Sequence, residues 1–151
     1  MDTHEGRLPI QDGIDVMTVG GVTFKRYLEI AQTLNKETAV VTDNDGNIES
    51  VKKKYKEYEK TPCIHICVDE VVDTGDLKLS DKDFNYNTLE PKILKENGRD
   101  VMNKIFGTNY DADDEMHKYM YTHKTDCAIA IFESATKIKY PEYIMRAIKN
   151  E

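Results

Sequence analysis

Apolar positions change period repeatedly along the first half of the chain. Ile14-Asp15-Val16-Met17-Thr18-Val19 is a short run rich in β-formers, stopped by Gly20-Gly21. Phe24, Tyr27, Leu28, Ala31 and Leu34 then recur at helical spacing, with Thr23 placed as an N-cap. Thr38-Ala39-Val40-Val41-Thr42 follows, an apolar run of the sort buried on both faces of a parallel sheet, and it ends in Asp43-Asn44-Asp45-Gly46. Ile48, Val51, Tyr55 and Tyr58 stripe a second helix that stops at Thr61-Pro62. Cys63-Ile64-His65-Ile66-Cys67-Val68 reads as a third strand.

Past residue 69 the chain turns acidic and irregular (Asp69, Glu70, Asp73, Asp76, Asp81, Asp83) and then helical. The pattern predicts helices over 88 to 97 and 100 to 106, ending at Gly98 and Gly107. It further predicts one long helix over 113 to 135 and a last helix from Pro141. Strands alternating with helices through short turns imply an α/β fold, a Rossmann-like parallel sheet flanked by helices, with a helical C-terminal part from about residue 88. Residues 1–13 show no periodicity and read as an arm or the remnant of something longer, leaving 14–151 as one domain. In such sheets ligands bind beyond the carboxyl ends of the strands, which draws attention to Asp43 and Asp45.

Composition narrows the setting. At 151 residues, 39% hydrophobic and 32% charged, the chain suits one well-solvated globular domain. No apolar run is long enough to span a bilayer and the N-terminus lacks a signal-peptide layout, so a cytoplasmic protein without membrane contact is expected. Three cysteines leave an odd thiol under any pairing, which favours reduced thiols. A formal charge of −7 argues against a broad electrostatic grip on nucleic acid, so any contact with phosphate must be local. A carboxylate cluster that binds a cation would reconcile the two.

Side chains alternate along an extended segment, so Asp43 and Asp45 are expected to point the same way as the strand leaves the sheet. Two hard oxygen donors there suit Mg²⁺ or Mn²⁺, and Gly46 permits the tight exit. The competing explanation is helix capping by Asp45 or Asn47, with Asp43 merely solvated. An EF-hand reading fails: its glycine would be Ile48 and its bidentate glutamate Lys54. Cys63, His65 and Cys67 invite a zinc site, although a core face holding one satisfied histidine explains them better. The lysines of the second helix are interspersed with Glu49, Glu57 and Glu59, the pattern of a solvated face and a secondary candidate for DNA contact.

The segments Gly13-Ile14-Asp15-Val16-Met17-Thr18-Val19-Gly20-Gly21-Val22-Thr23-Phe24-Lys25-Arg26-Tyr27-Leu28 and Ala39-Val40-Val41-Thr42-Asp43-Asn44-Asp45-Gly46 together resemble the Toprim domain of OLD-family (overcoming lysogenization defect) nucleases. Downstream, Asn87-Thr88-Leu89-Glu90 resembles that family's Ser/Thr-x-Glu segment. His123-Lys124-Thr125-Asp126-Cys127-Ala128 resembles its lysine-bearing helix, and Pro141-Glu142-Tyr143-Ile144 its closing segment. The resemblance implies a Toprim fold and metal-dependent DNA endonuclease or nickase chemistry with two Mg²⁺ or Mn²⁺ ions. It implies Asp43, Asp45 and Glu90 as metal ligands, Thr88 beside them, and Lys124 as a positive charge near the scissile phosphate.

Family members of this kind begin with a further strand and helix carrying a Glu-Gly segment, and normally have an ATPase domain upstream. Glu5-Gly6 lies too close to the Ile14 run to fill that role, so the resemblance implies either a truncated or split nuclease or one that has lost part of its metal site. Its partners would be DNA, an upstream ATPase portion or complementary N-terminal fragment, and a second copy of the chain. Two rival functions stand beside this one. A non-catalytic Toprim remnant could bind a partner along an exposed sheet edge. A haloacid-dehalogenase-type phosphatase could use Asp43 as nucleophile and Asp45 as acid/base.

Overall fold

A computed structural model describes residues 9–20, 23–73 and 85–149. Glu5-Gly6 and the acidic residues Asp76, Asp81 and Asp83 lie outside them. Among the described residues, two strands, β1 (Thr38–Thr42) and β2 (Ile64–Val68), pair in parallel, Thr38 opposite Ile64 and Thr42 opposite Val68. Seven α-helices accompany them: α1 (Phe24–Thr33), α2 (Ile48–Tyr55), α3 (Leu89–Asn97), α4 (Arg99–Phe106), α5 (Asp113–Thr122), α6 (Lys124–Glu133) and α7 (Glu142–Lys149). The result is an α/β arrangement that is mostly helical. None of the helices is long and apolar enough to cross a membrane.

Local chemistry explains most boundaries. α1 ends where Asn35 takes a left-handed φ of 48°, while the Asn35 and Lys36 N–H groups return to the Gln32 and Ala31 carbonyls. That is a Schellman closure with Asn in the usual glycine position. At the start of α2, the Asn47 side chain accepts from the Ser50 N–H at 3.0 Å, so Asn47 rather than Asp45 is the cap. Asn47→Ala is therefore expected to cost about 1 kcal/mol, read as a lower urea midpoint at unchanged m-value; an unchanged midpoint would show that the cap contributes nothing. Gly98 separates α3 from α4 at φ 78° and ψ 157°, a backbone region open essentially to glycine alone.

Apolar side chains gather into two cores. Phe24, Leu28, Tyr55, Tyr58, Cys63 and Ile64 form one between α1, α2 and the sheet, with Val40 and Ile66 packed against it. Ile93, Leu94, Met102, Met116, Met120 and Cys127 form the other among α3 to α6. α7 packs on both strands. Burial lifts the Cys127 thiol to about 11, so it behaves as a small core hydrophobe.

Four expectations need correction. The Ile14–Val19 run is not a strand: Ile14, Val16 and Met17 are exposed, and among the described residues no ladder partner satisfies its backbone. Composition favours β there, but a strand exists only with a neighbour. β1 is half-buried on one face rather than buried on two: Val40 packs against the α1–α2 core, while Ala39 and Val41 are exposed. On α1, Phe24, Leu28 and Ala31 are buried while Tyr27 and Leu34 are exposed, and Thr23 donates to the Gly20 carbonyl instead of capping. The long helix over 113 to 135 is broken at His123 (φ −124°, ψ 41°), where the Thr122 hydroxyl turns back to the Lys118 carbonyl. The break puts Lys124 at the first position of α6.

Candidate functional site

The turn after β1 is organised by its middle residue. Asn44 is 1% exposed, and its side-chain amide donates to the Asp69 and Val71 carbonyls, each at 2.8 Å. Its side-chain oxygen accepts from the Gly46 N–H at 2.9 Å. Asn44 thus pins the exit of β1 to the exit of β2 and satisfies carbonyls that no strand reaches. Asp45 takes φ 50° and Gly46 φ 81°, where an added Cβ would stand 3.3 Å from the Asn87 amide. With Asn44 spent on the loop, Asp43 and Asp45 flank it as the available carboxylates.

Each of the sequence-predicted acids has a partner from a distant segment. Asp43 Oδ1 accepts from the Tyr143 hydroxyl at 2.8 Å, across a hundred residues of chain. Asp45 Oδ1 accepts from Asn85 at 3.3 Å. Glu90, in the first turn of α3, meets the Lys124 ammonium through Oε1 at 2.7 Å. Thr88 sits before α3 with its hydroxyl 3.4 Å from the Asn85 carbonyl, and it also favours the Glu90 anion.

The electrostatics tie these groups into one neighbourhood. Burial raises the Asp43 carboxyl above its ordinary range; Tyr143 and Lys92 oppose the shift, and the Asp45 and Glu90 charges add to it. Burial pushes Glu90 the same way, but the hydrogen bond from Lys124, a backbone N–H and the Lys124 charge outweigh it, so Glu90 titrates below its usual value. Burial raises Tyr143 strongly, and the bond to Asp43 raises it further, so Tyr143 is a fixed donor. His117, buried in α5, is held neutral by desolvation, which the Glu90 charge opposes.

Sequence reasoning missed four residues that build this region. Asn44 carries the turn, Tyr143 grips Asp43, and Lys92 and Asp69 join the two cores. Lys92 is 6% exposed, its ammonium 3.0 Å from Asp69 Oδ2 in an ion pair without hydrogen-bond alignment and 5.4 Å from the Tyr143 ring centroid. Asp69 directly follows β2, the position Asp43 holds after β1, and the strand-end rule could have found it. A cleft of about 500 Å³ opens alongside, lined among others by Asp69, Lys92, Lys95, Tyr143 and Arg146. Lys95 pairs with Asp73 at its rim.

The zinc alternative does not assemble: His65 faces Glu37 at 3.1 Å, while Cys63 and Cys67 are buried. Among the described residues, no three or more His, Cys, Asp or Glu side chains gather as a ready-made metal cage. The donor set nonetheless fits a hard cation of the Mg²⁺ type, which is commonly held by one or two carboxylates and completes its octahedron with water and substrate oxygens. Asp43, desolvated and crowded by two further negative charges, is the carboxylate such a cation would relieve.

Compared with known families, residues 1–45 match the model of the overcoming lysogenization defect protein-like TOPRIM domain, a stretch that ends on Asp45. The match covers 45 of the chain's 151 residues and likens that part to a Toprim domain of OLD-family proteins. No curated protein and no solved structure matches the chain.

Proposed function

We propose, starting from a chain whose first 45 residues match an OLD-like Toprim domain, that it hydrolyses DNA phosphodiesters with Mg²⁺ or Mn²⁺. The observation that carries the reading is the convergence of distant segments on the end of β1. Tyr143 donates to Asp43 at 2.8 Å and Asn85 to Asp45 at 3.3 Å, and Glu90 pairs with Lys124 at 2.7 Å. The matched stretch also takes in the whole Asp43-Asn44-Asp45 segment, which favours this reading over a phosphatase with an Asp43 nucleophile.

Asp43, Asp45 and Glu90 would hold the cations. A bound divalent ion supplies Lewis acidity at the phosphate and activates a water for attack. The remaining work belongs to the chain. Tyr143 fixes the Asp43 carboxylate, and Thr88 supports the Glu90 anion. Lys124 is half exposed on a flexible stem, so it can leave Glu90 and meet charge developing on a phosphoryl oxygen as water adds and an ester P–O bond breaks. Lys92 is too deeply paired with Asp69 for that task and serves as a fixed positive charge behind Asp43.

Supercoiled plasmid incubated with the chain and Mn²⁺ or Mg²⁺ tests the proposal. Open-circular product that disappears with EDTA is expected. A folded chain that binds Mn²⁺ but never nicks would sink the reading and leave the partner-binding remnant in its place.

A further inference from the structure

We infer that Tyr143 tunes the cation preference: its hydrogen bond draws on one lone pair of Asp43 Oδ1 and makes that oxygen the poorer metal donor, so Asp43 coordinates mainly through Oδ2, which favours Mg²⁺ or Mn²⁺ over Ca²⁺. The inference rests on the metal-site reading above and adds a positioning residue and a metal preference to it.

The geometry is repeated at each acid. Tyr143 takes Oδ1 of Asp43, Asn85 takes Oδ1 of Asp45, and Lys124 takes Oε1 of Glu90. One oxygen of every carboxylate accepts from a donor. The three donors differ in mobility. Lys124 is half exposed, and the Asn85 contact is exposed and long at 3.3 Å, so both can be displaced. Tyr143 is 2% exposed and cannot move without its helix. α7 directly follows Pro141, whose carbonyl accepts from Ile144 and Met145. One turn beyond Tyr143, Arg146 donates to the Val68 carbonyl at 2.5 Å, and Lys92 stands over the Tyr143 ring. Among the described residues none donates to Asp43 Oδ2.

Coordination chemistry turns this arrangement into a preference. Ca²⁺ gathers about six to eight oxygens and draws on bidentate carboxylates to reach that number. Mg²⁺ demands a compact octahedron, keeps several waters and is content with single oxygens. A site whose deepest carboxylate coordinates mainly through one oxygen therefore penalises Ca²⁺ more than Mg²⁺. Tyr143→Phe keeps the ring and its packing but makes Oδ1 a better donor for a second bond to the metal.

The test is calorimetric titration of the full chain with Mg²⁺, Mn²⁺ and Ca²⁺, comparing wild type, Tyr143→Phe and Asp43→Asn. In Tyr143→Phe the ratio of Ca²⁺ to Mg²⁺ affinity is expected to rise about tenfold, within the range seen when a ligand's hydrogen-bond partner is removed. General loosening of the fold would weaken all three cations together and leave the ratio alone. If Tyr143→Phe does not fold, infrared difference spectra of wild type labelled with ¹³C-aspartate decide: one-oxygen binding gives a wide separation of the two carboxylate stretches, two-oxygen binding a narrow one. An unchanged ratio in a folded variant, or a narrow separation in wild type, overturns the inference while Mn²⁺ binding lost in Asp43→Asn keeps the metal site. A wild type that binds no divalent cation overturns both.

Discussion

Asp43→Ala is expected to abolish metal-dependent nicking, and Lys124→Ala to lower its rate by roughly 10²- to 10³-fold, the scale seen when one stabilising contact to transition-state charge is removed. The two losses have different causes. Asp43 is the desolvated carboxylate at the end of β1, so its removal takes away the donor that a cation would relieve most. On the proposed reading Lys124 would contribute charge near the reacting phosphate, and its removal also takes from Glu90 its only cationic partner among the described residues. Folding must be checked separately, because Asp43→Ala leaves the Tyr143 hydroxyl buried without its acceptor, a loss of about 1–3 kcal/mol. Asp43→Asn keeps an acceptor for Tyr143 and removes the charge, so it separates the two effects: a stable but inactive variant is expected. Full activity in Asp43→Asn would contradict the assignment of Asp43.

Lys92→Ala carries the largest expected cost in stability. The Lys92 ammonium is buried against Asp69, on the seam between the sheet core and the helical core. Removing one partner of such a pair strands the other charge, which typically costs about 3–5 kcal/mol. Asp69 keeps some contact with solvent, so a value near the lower end, about 3 kcal/mol, is expected from urea unfolding. Lys92→Met should cost less by keeping the aliphatic stem, and Asp69→Asn added to Lys92→Met should recover part of the remainder by discharging the stranded acid. A cost below about 1 kcal/mol for Lys92→Ala would place the ion pair among surface bridges and deny it a role at the seam.

Local rules read well where a single segment decided the outcome. β1, β2 and the starts and ends of α3 and α4 fall within a residue of the pattern, because apolar runs and the glycines at 98 and 107 set them without distant help. The failures share a cause. Ile14–Val19 has β-forming residues but no described strand beside it, and pairing is a property of two segments. The exposed face of β1 depends on what packs against it, which the run Thr38–Thr42 cannot encode. The break at His123 sits inside an unbroken helical pattern with no glycine or proline to announce it.

The candidate site divides in the same way. Asp43, Asp45, Glu90, Thr88 and Lys124 were singled out by the order of short motifs resembling one family, since each alone is an ordinary cap or surface charge. Tyr143 stood inside a quoted motif with no role attached, and only the 2.8 Å contact to Asp43 supplies one. Asn44 was the unconsidered residue between two carboxylates, yet its amide determines where both stand. Lys92 gave no signal, because a lysine beside Pro91 in the first turn of a helix is expected on the surface.

The measurement that bears most directly on the account is anomalous scattering from crystals of the full chain grown or soaked with Mn²⁺. The account predicts a peak at the C-terminal end of β1, within coordination distance of Asp43 Oδ2 and of Asp45 or Glu90. A map with no peak at Asp43, or with its strongest peak among residues remote from Asp43, Asp45 and Glu90, would contradict it.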